Sequence, residues 1–206
     1  TITGPDGYEQ QVTETTTLEE LAPGTYTVTA APVTPREVNR LDPMPATSTV
    51  TLEAGATKAV SIAYAPHRAF SRAATERLNE YRLASGLQPV EFQAERSLPN
   101  WLHARYLAEN RETTHSQDPS LPWHTPAGHQ AGLHSSLAFT GSSKFDDPEW
   151  AIDAFASAPF HFFHLLNPTA TTVRIGTYFA PSECPDTYEC EFAFDRQAVA
   201  VEMNTS

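Results

Sequence analysis

Threonine-rich alternation dominates the first third of the chain. Thr25–Ala30 sets Tyr26 and Val28 among threonines, Thr49–Leu52 follows, and Lys58–Tyr64 repeats the pattern with Val60, Ile62 and Tyr64. A period of two places successive side chains on opposite faces of a strand. Pro5-Asp6-Gly7, Pro23-Gly24 and Ala54-Gly55-Ala56 punctuate these runs as turns. The pattern predicts a small β-sandwich over residues 1–65.

At Ala65-Pro66-His67 the threonines give way to Arg, Ala and Glu, which places a domain boundary there and a second domain over 67–206. Phe70, Ala74, Leu78 and Tyr81 fall at spacings of four and three, with Arg72, Glu76 and Glu80 on other faces. This predicts a helix over about 68–85, stopped by Gly86. Leu98, Leu102 and Tyr106 predict a second helix from Ser97, as its cap, to Asn110, with Pro99 in its first turn. From Glu112 to Ser143 no period persists, and the stretch reads as a long irregular segment. Asp147-Pro148-Glu149 has the form of a helix start, carrying Trp150, Ile152, Ala154 and Phe155 until Pro159 ends the helix. Strands are expected at Thr172–Phe179, Glu189–Phe194 and Ala198–Met203, the last two as a hairpin about Asp195-Arg196-Gln197. Helices followed by an antiparallel sheet predict an α+β fold.

Composition narrows the function classes. The 206 residues are 40% hydrophobic and 18% charged, an ordinary globular balance. Twenty-five acidic residues face 13 basic ones, and the net charge of −12 argues against nucleic acid as a partner. No apolar run approaches the roughly 20 residues that cross a bilayer, so the chain is not read as transmembrane. It opens at Thr1 within a predicted strand and without a basic-then-apolar leader, and reads as a processed or trimmed segment. Cys184 and Cys190 enclose five residues. They read either as two thiols or as a disulfide; the bridge would contribute about 2 kcal/mol and imply an oxidising compartment.

Six of the eight histidines fall between His115 and His164, a block ending in Ala158-Pro-Phe-His-Phe-Phe-His-Leu-Leu-Asn-Pro168. Neutral imidazole ligates metals and carries protons. Together with the L-N-x-x-R of Leu78–Arg82 and His115 in a Thr-Thr-His-Ser loop, this closing motif resembles the bacterial CAP domains of the cysteine-rich secretory protein, antigen 5 and pathogenesis-related families. The likeness covers about 67–203. It implies an α-β-α sandwich, a secreted or cell-envelope location and a cleft lined by two histidines and two acids. The phrase TLEELAPGTYTVTA resembles bacterial surface modules related to carboxypeptidase regulatory and transthyretin-like sandwiches, which act as spacers.

By motif His115 and His161 take the two histidine places, and zinc is the implied metal. The acidic places are altered: Ser135 and Ser136 stand where the family has Glu-Asn, and Ala158 stands where a second glutamate is found. Two imidazoles without a carboxylate hold zinc poorly and lack a general base. His134 and His164 are possible additional ligands, His164 lying three residues after His161; with His124 and His129 they read equally as exposed or capping imidazoles. His67 and His103 have surface or packing roles. Ser135 and Ser136 beside His134 lack the G-x-S-x-G elbow of a serine hydrolase. Phe160, Phe162 and Phe163 either join the core or floor a lipid groove.

Three functions are therefore expected to compete. The first is a non-catalytic secreted or surface protein binding an extracellular protein, glycan or lipid. The second is a metal-dependent hydrolase of peptides or cell-wall material, using His115, His161 and a carboxylate such as Asp146, Asp147 or Asp153. The third is a lipid carrier.

Overall fold

The computed structural model describes residues 1–34, 39–66, 68–140, 149–181 and 194–205. The chain divides into two units, Thr1–Val33 with Leu41–Tyr64, and Thr34–Arg40 with Ala65–Ser206.

In the first unit β1 (Ile2–Thr3), β2 (Glu9–Gln10), β3 (Gly24–Thr29) and β5 (Thr47–Leu52) form an antiparallel sheet in the order β2-β1-β3-β5, and β4 (Leu41–Met44) precedes β5. The ladder runs from Gly24 opposite Leu52 to Thr29 opposite Thr47. Tyr26 is the buried centre; its hydroxyl donates to the Ala22 carbonyl, and Tyr8 meets its ring edge-on. Gly4 is required beneath that ring, because an added Cβ would stand 2.4 Å from it. The predicted strand at Lys58–Tyr64 is corrected: only Ala63–Pro66 (β6) is extended into a ladder, and Val60 is exposed. Alternation alone forms no strand when no neighbouring edge takes up its backbone groups.

The second unit holds α1 (Arg68–Ala84), β7 (Glu91–Phe92), a 3-10 turn (Ala94–Arg96), α2 (Leu98–Asn110), α3 (Pro126–Leu133), β8 (Ser136–Thr140), α4 (Trp150–Ala156), α5 (Pro159–Leu165), β9 (Thr172–Pro181) and β10 (Phe194–Asn204). The sheet order is β7-β9-β10-β8, antiparallel except for the parallel β7–β9 pair. Because side chains alternate along a strand, Val173, Ile175, Val199 and Val201 meet Ala74, Leu78, Ile152, Phe155 and Leu165 from α1, α4 and α5 on one face. On the other face Gly176 lies against the backbone of α2, and Tyr178 meets Trp101 edge-on at 5.3 Å. The fold is α+β, with helices on both sides of one sheet.

Two side chains of the Leu78–Arg82 motif account for much of this assembly. Asn79 accepts from the Val90 amide at 2.8 Å and donates to the Val90 carbonyl at 3.0 Å, fixing the chain as it leaves α1. Arg82 is fully buried and donates to the carbonyls of Gln88, Leu165, Asn167 and Ala170. The motif arginine thus clasps the Leu-Leu-Asn-Pro turn.

Several expectations are revised. Of the predicted stripe on α2 Tyr106 is buried, with Trp101, Ala104, Leu107 and Ala108, while Leu98 and Leu102 are half-buried. Ser97 does not cap α2; its hydroxyl donates to the Gln93 carbonyl and accepts from the Ile175 amide, so it ties the helix entrance to β9. The stretch 112–143 contains α3 and β8, and Pro159 opens α5 as well as following α4. Residues 195–197 are not a turn, because β10 pairs with β9 through that stretch past an irregularity at Phe194/Arg196. Glu189, Cys184, Cys190, Asp147 and Pro148 lie outside the described residues, and with them the predicted strand start, the disulfide and the aspartate cap.

Candidate functional site

Ser135 and Ser136, expected by motif at a Glu-Asn pair, sit where α3 passes into β8, and both are buried. Val201 pairs with Ser136 across the β8–β10 ladder, which carries the adjacent Glu202 to the same neighbourhood. Ser135 Oγ donates to the Ala131 carbonyl at 2.8 Å and accepts from Asn100 Nδ2 at 3.1 Å. Asn100 Nδ2 also lies 3.3 Å from Glu202 Oε2, and the other Glu202 oxygen takes Arg174 Nη1 at 3.3 Å. Asn100 itself is fully buried, with its Oδ1 lacking a hydrogen-bond partner.

Ser136 Oγ is hydrogen-bonded to His164 Nδ1 at 2.8 Å. Burial lowers the His164 pKa, the neighbouring His161 lowers it further, and Glu202 opposes them. The imidazole is therefore neutral at neutral pH. A serine beside a neutral histidine with a carboxylate nearby has the elements of a nucleophile and base. Here, however, the serine is only 3% exposed, and Glu202 bonds Asn100 and Arg174 rather than the imidazole. The arrangement closes polar groups on one another and leaves Ser136 Oγ without open space for a reacting carbonyl.

His161 and His115, the predicted pair, have separate engagements. The His161 ring stands edge-on to Phe155, 5.1 Å between centroids. His115 is exposed, and its Nδ1 is bonded to the Gly132 carbonyl at 2.9 Å. His134 is exposed at the end of α3. Asp153, one of the carboxylates considered for hydrolysis, pairs with Arg77 at 2.7 Å and accepts from Tyr81 at 2.9 Å; these hold its pKa below the usual range and link α1 to α4. Asp146 and Asp147 lie outside the described residues. Among the described residues no three His, Cys, Asp or Glu side chains converge as metal ligands, so those residues do not fit a zinc centre of the usual three or four protein ligands.

A second polar cluster is built on His103, which is fully buried. Its Nε2 is bonded to the Thr114 carbonyl and its Nδ1 to Gln117 Nε2, both at 3.1 Å, and burial pushes its pKa down to about 4. Gln117 Oε1 takes the Thr125 amide, and Thr125 Oγ1 caps α3 through the Gly128 amide. Glycines let α3 approach: a Cβ at Gly132 would stand 2.3 Å from the His103 ring, and one at Gly128 would stand 2.7 Å from Gln117 Nε2.

The phenylalanines of the closing motif diverge. Phe162 meets Tyr81 edge-on at 5.9 Å, whereas Phe160 is 88% and Phe163 73% exposed. Those two do not join the core. Two depressions among the described residues lie elsewhere, one lined by residues between Pro5 and Tyr26, the other, about 400 Å³, by Arg72, Thr75, Glu76, Glu91, Phe92, Ala94 and Glu95.

Comparison with family profiles matches residues 75–192 to CAP, the cysteine-rich secretory protein family. Among solved structures the chain is similar to an outer surface protein from Borrelia burgdorferi, at 18% identity and TM-score 0.41, covering 70% of this chain and 99% of that one. It is also similar to an extracellular protein containing a SCP domain from Bacillus anthracis str. Ames, at 15% identity and TM-score 0.40, over 64% of this chain and 41% of that one. A cysteine-rich secretory protein from Staphylococcus aureus subsp. aureus Mu50 is similar at 15% identity and TM-score 0.33, over 71% and 44%. The chain therefore spans less than half the length of the last two. Comparison with curated proteins gives no match.

Proposed function

The chain belongs to the cysteine-rich secretory protein (CAP) family, and from that premise we propose that it is a secreted or surface-displayed binding protein of bacterial type, which holds an extracellular ligand at its cleft without hydrolysing it. Residues 1–65 serve in this reading as a spacer module. What carries the proposal is that Ser135 and Ser136, which stand by motif at the family's Glu-Asn pair, have their hydroxyls taken up by Ala131, Asn100 and His164, while Ala158 stands by motif at the second glutamate. Among the described residues the site offers no uncommitted carboxylate to act as base toward a metal-bound water, and its neutral imidazole, His164, is taken up by the buried Ser136 hydroxyl. A secreted location agrees with the family's description, and no helix among the described residues is long and apolar enough to cross a membrane.

The test is calorimetric titration of the full chain with zinc alone, alongside assays on peptides and purified cell-wall material with and without the metal. The expected result is neither stoichiometric sub-micromolar binding nor turnover above buffer. Both together, with turnover abolished in the His115→Ala, His161→Ala double variant, would overturn the proposal in favour of a metal-dependent hydrolase. Binding at the cleft is read from the His164 imidazole resonances on titration with soluble cell-wall fragments; resonances unmoved by any probe that the chain retains would place binding elsewhere.

A further inference from the structure

Two runs of this acidic chain contain no Asp, Glu, Lys or Arg, residues 119–143 and residues 154–173. Their only titratable side chains are His124, His129, His134, His161 and His164. The fold joins the runs, since Ser136 at the start of β8 is bonded to His164 on α5. They also hold most of the second unit's exposed large hydrophobics among the described residues, namely Trp123, Leu133, Phe160 and Phe163, with Leu83 outside them.

Phe160 and Phe163 stand three residues apart on α5, and so on one face of it. The helix is held from its other side: Leu165 is fully buried, Phe162 meets Tyr81, and Arg82 bonds the Leu165 and Asn167 carbonyls. Two phenyl rings are thus presented to solvent by an anchored helix. A phenylalanine offers about 150–250 Å², so at 88% and 73% exposure the pair presents roughly 300 Å². A stable protein interface takes about 800 Å² from each partner, far more than these rings supply to a second copy. A bilayer makes no such demand, because an interfacial element inserts only its apolar face. The two runs themselves bring no Asp, Glu, Lys or Arg to the headgroup layer; the Arg77–Glu80–Asp153 group adjoins Tyr81, on the side from which the helix is held. The net charge of −12 repels anionic headgroups and so favours neutral ones.

We infer that α5 docks this protein on zwitterionic phospholipid bilayers, with Phe160 and Phe163 as the inserting side chains. The surface adjoins the Ser136–His164 pair, since His164 is also on α5, but the inference rests on the exposed rings and does not depend on how that pair is read. The test is flotation of the full chain with phosphatidylcholine vesicles at neutral pH, beside the Phe160→Ser, Phe163→Ser double variant. The wild-type chain is expected to float with the vesicles. The double variant, with an unchanged melting temperature because both rings are exposed, should lose binding by roughly tenfold or more. Exchanging part of the phosphatidylcholine for phosphatidylglycerol should weaken binding. A wild-type chain that stays out of the vesicle fraction, or a variant that floats equally well, would overturn the inference. So would a wild-type dimer that the double substitution dissociates while neither form floats, which would assign the face to a second copy.

Discussion

Gly176 lies directly against the backbone of α2, and Gly176→Ala tests the packing that holds Asn100 beside Ser135. A Cβ there would lie 2.0 Å from the Trp101 amide nitrogen, 2.2 Å from the Asn100 carbonyl carbon and 2.5 Å from Trp101 Cα. All three are backbone atoms of the helix, so no rotamer change relieves the overlap. Ordinary contact begins near 3.4 Å, and α2 would have to retreat from β9 by more than an ångström. That movement would open the packing of Trp101, Ala104 and Leu107 and stretch the 3.1 Å bond from Asn100 to Ser135. Overpacking costs typically about 1–3 kcal/mol and more when the neighbours cannot yield, and rigid backbone places this substitution at or above about 3 kcal/mol. At roughly 2–4 °C per kcal/mol for a domain of this size, the melting temperature should fall by about 6–12 °C. Thermal unfolding followed by tryptophan fluorescence measures that shift, and urea titration the free-energy loss. Gly86→Ala is the comparison, since Gly86 has open space around it and a φ of +76°; it should lose only about 1 kcal/mol from its left-handed backbone. A Gly176→Ala chain within about 1 kcal/mol of wild type would refute the close approach.

Three further outcomes are expected. Burial holds the His103 pKa at about 4 against 6.5 for the free side chain, so the unfolded chain takes up the proton first. Stability present above pH 6.5 is then lost as the pH falls toward 4, by about 3 kcal/mol; urea midpoints against pH should show this slope in wild type, and an equal slope in His103→Gln would reject it. Because His161 lowers and Glu202 raises the His164 pKa, His161→Ala should raise it and Glu202→Gln should lower it in an NMR titration, and shifts of the reverse sign would discard the assigned neighbours. Asn79→Ala strips both partners from the Val90 backbone and should cost about 2–3 kcal/mol; a loss below about 0.5 kcal/mol in the urea midpoint would show that Val90 does not depend on that side chain.

The sequence made α1 legible because Ala74, Leu78 and Tyr81 repeat at helical spacing on the core side. It hid α3, whose buried positions are Gly128, Ala131 and Gly132. A helix that packs through glycines has almost no hydrophobic period, and its readable trace was Thr125-Pro126, a capping hydroxyl followed by proline at the first helical position. Polar residues misled at 195–197, since Gln197 looks like turn chemistry yet is buried with its Oε1 accepting from Trp150 Nε1. The motif placed Ser135 and Ser136 in the cleft, but the residues that complete their surroundings come from α2, α5 and β10. Nothing local announces that Asn100 and Glu202, separated by 102 residues, meet there. His164, rather than His161, meets Ser136, because the packing of α5 decides which of its imidazoles faces β8, and their three-residue spacing alone does not.

The buried arginine also bears on how the molecule moves. A seven-residue helix such as α5 is too short to persist by its own hydrogen bonds and would ordinarily fray many times before the domain unfolds. Its exit turn, however, shares one guanidinium with the end of α1, and opening it would strand the carbonyls of Leu165, Asn167 and Ala170 together with a buried charge. Local escape is thereby coupled to the loss of the first helix, and the two segments form one cooperative unit. Amide exchange at Leu165 and Leu166 should then follow the global unfolding free energy, so that the outward phenylalanines ride on one of the slowest-opening parts of the molecule.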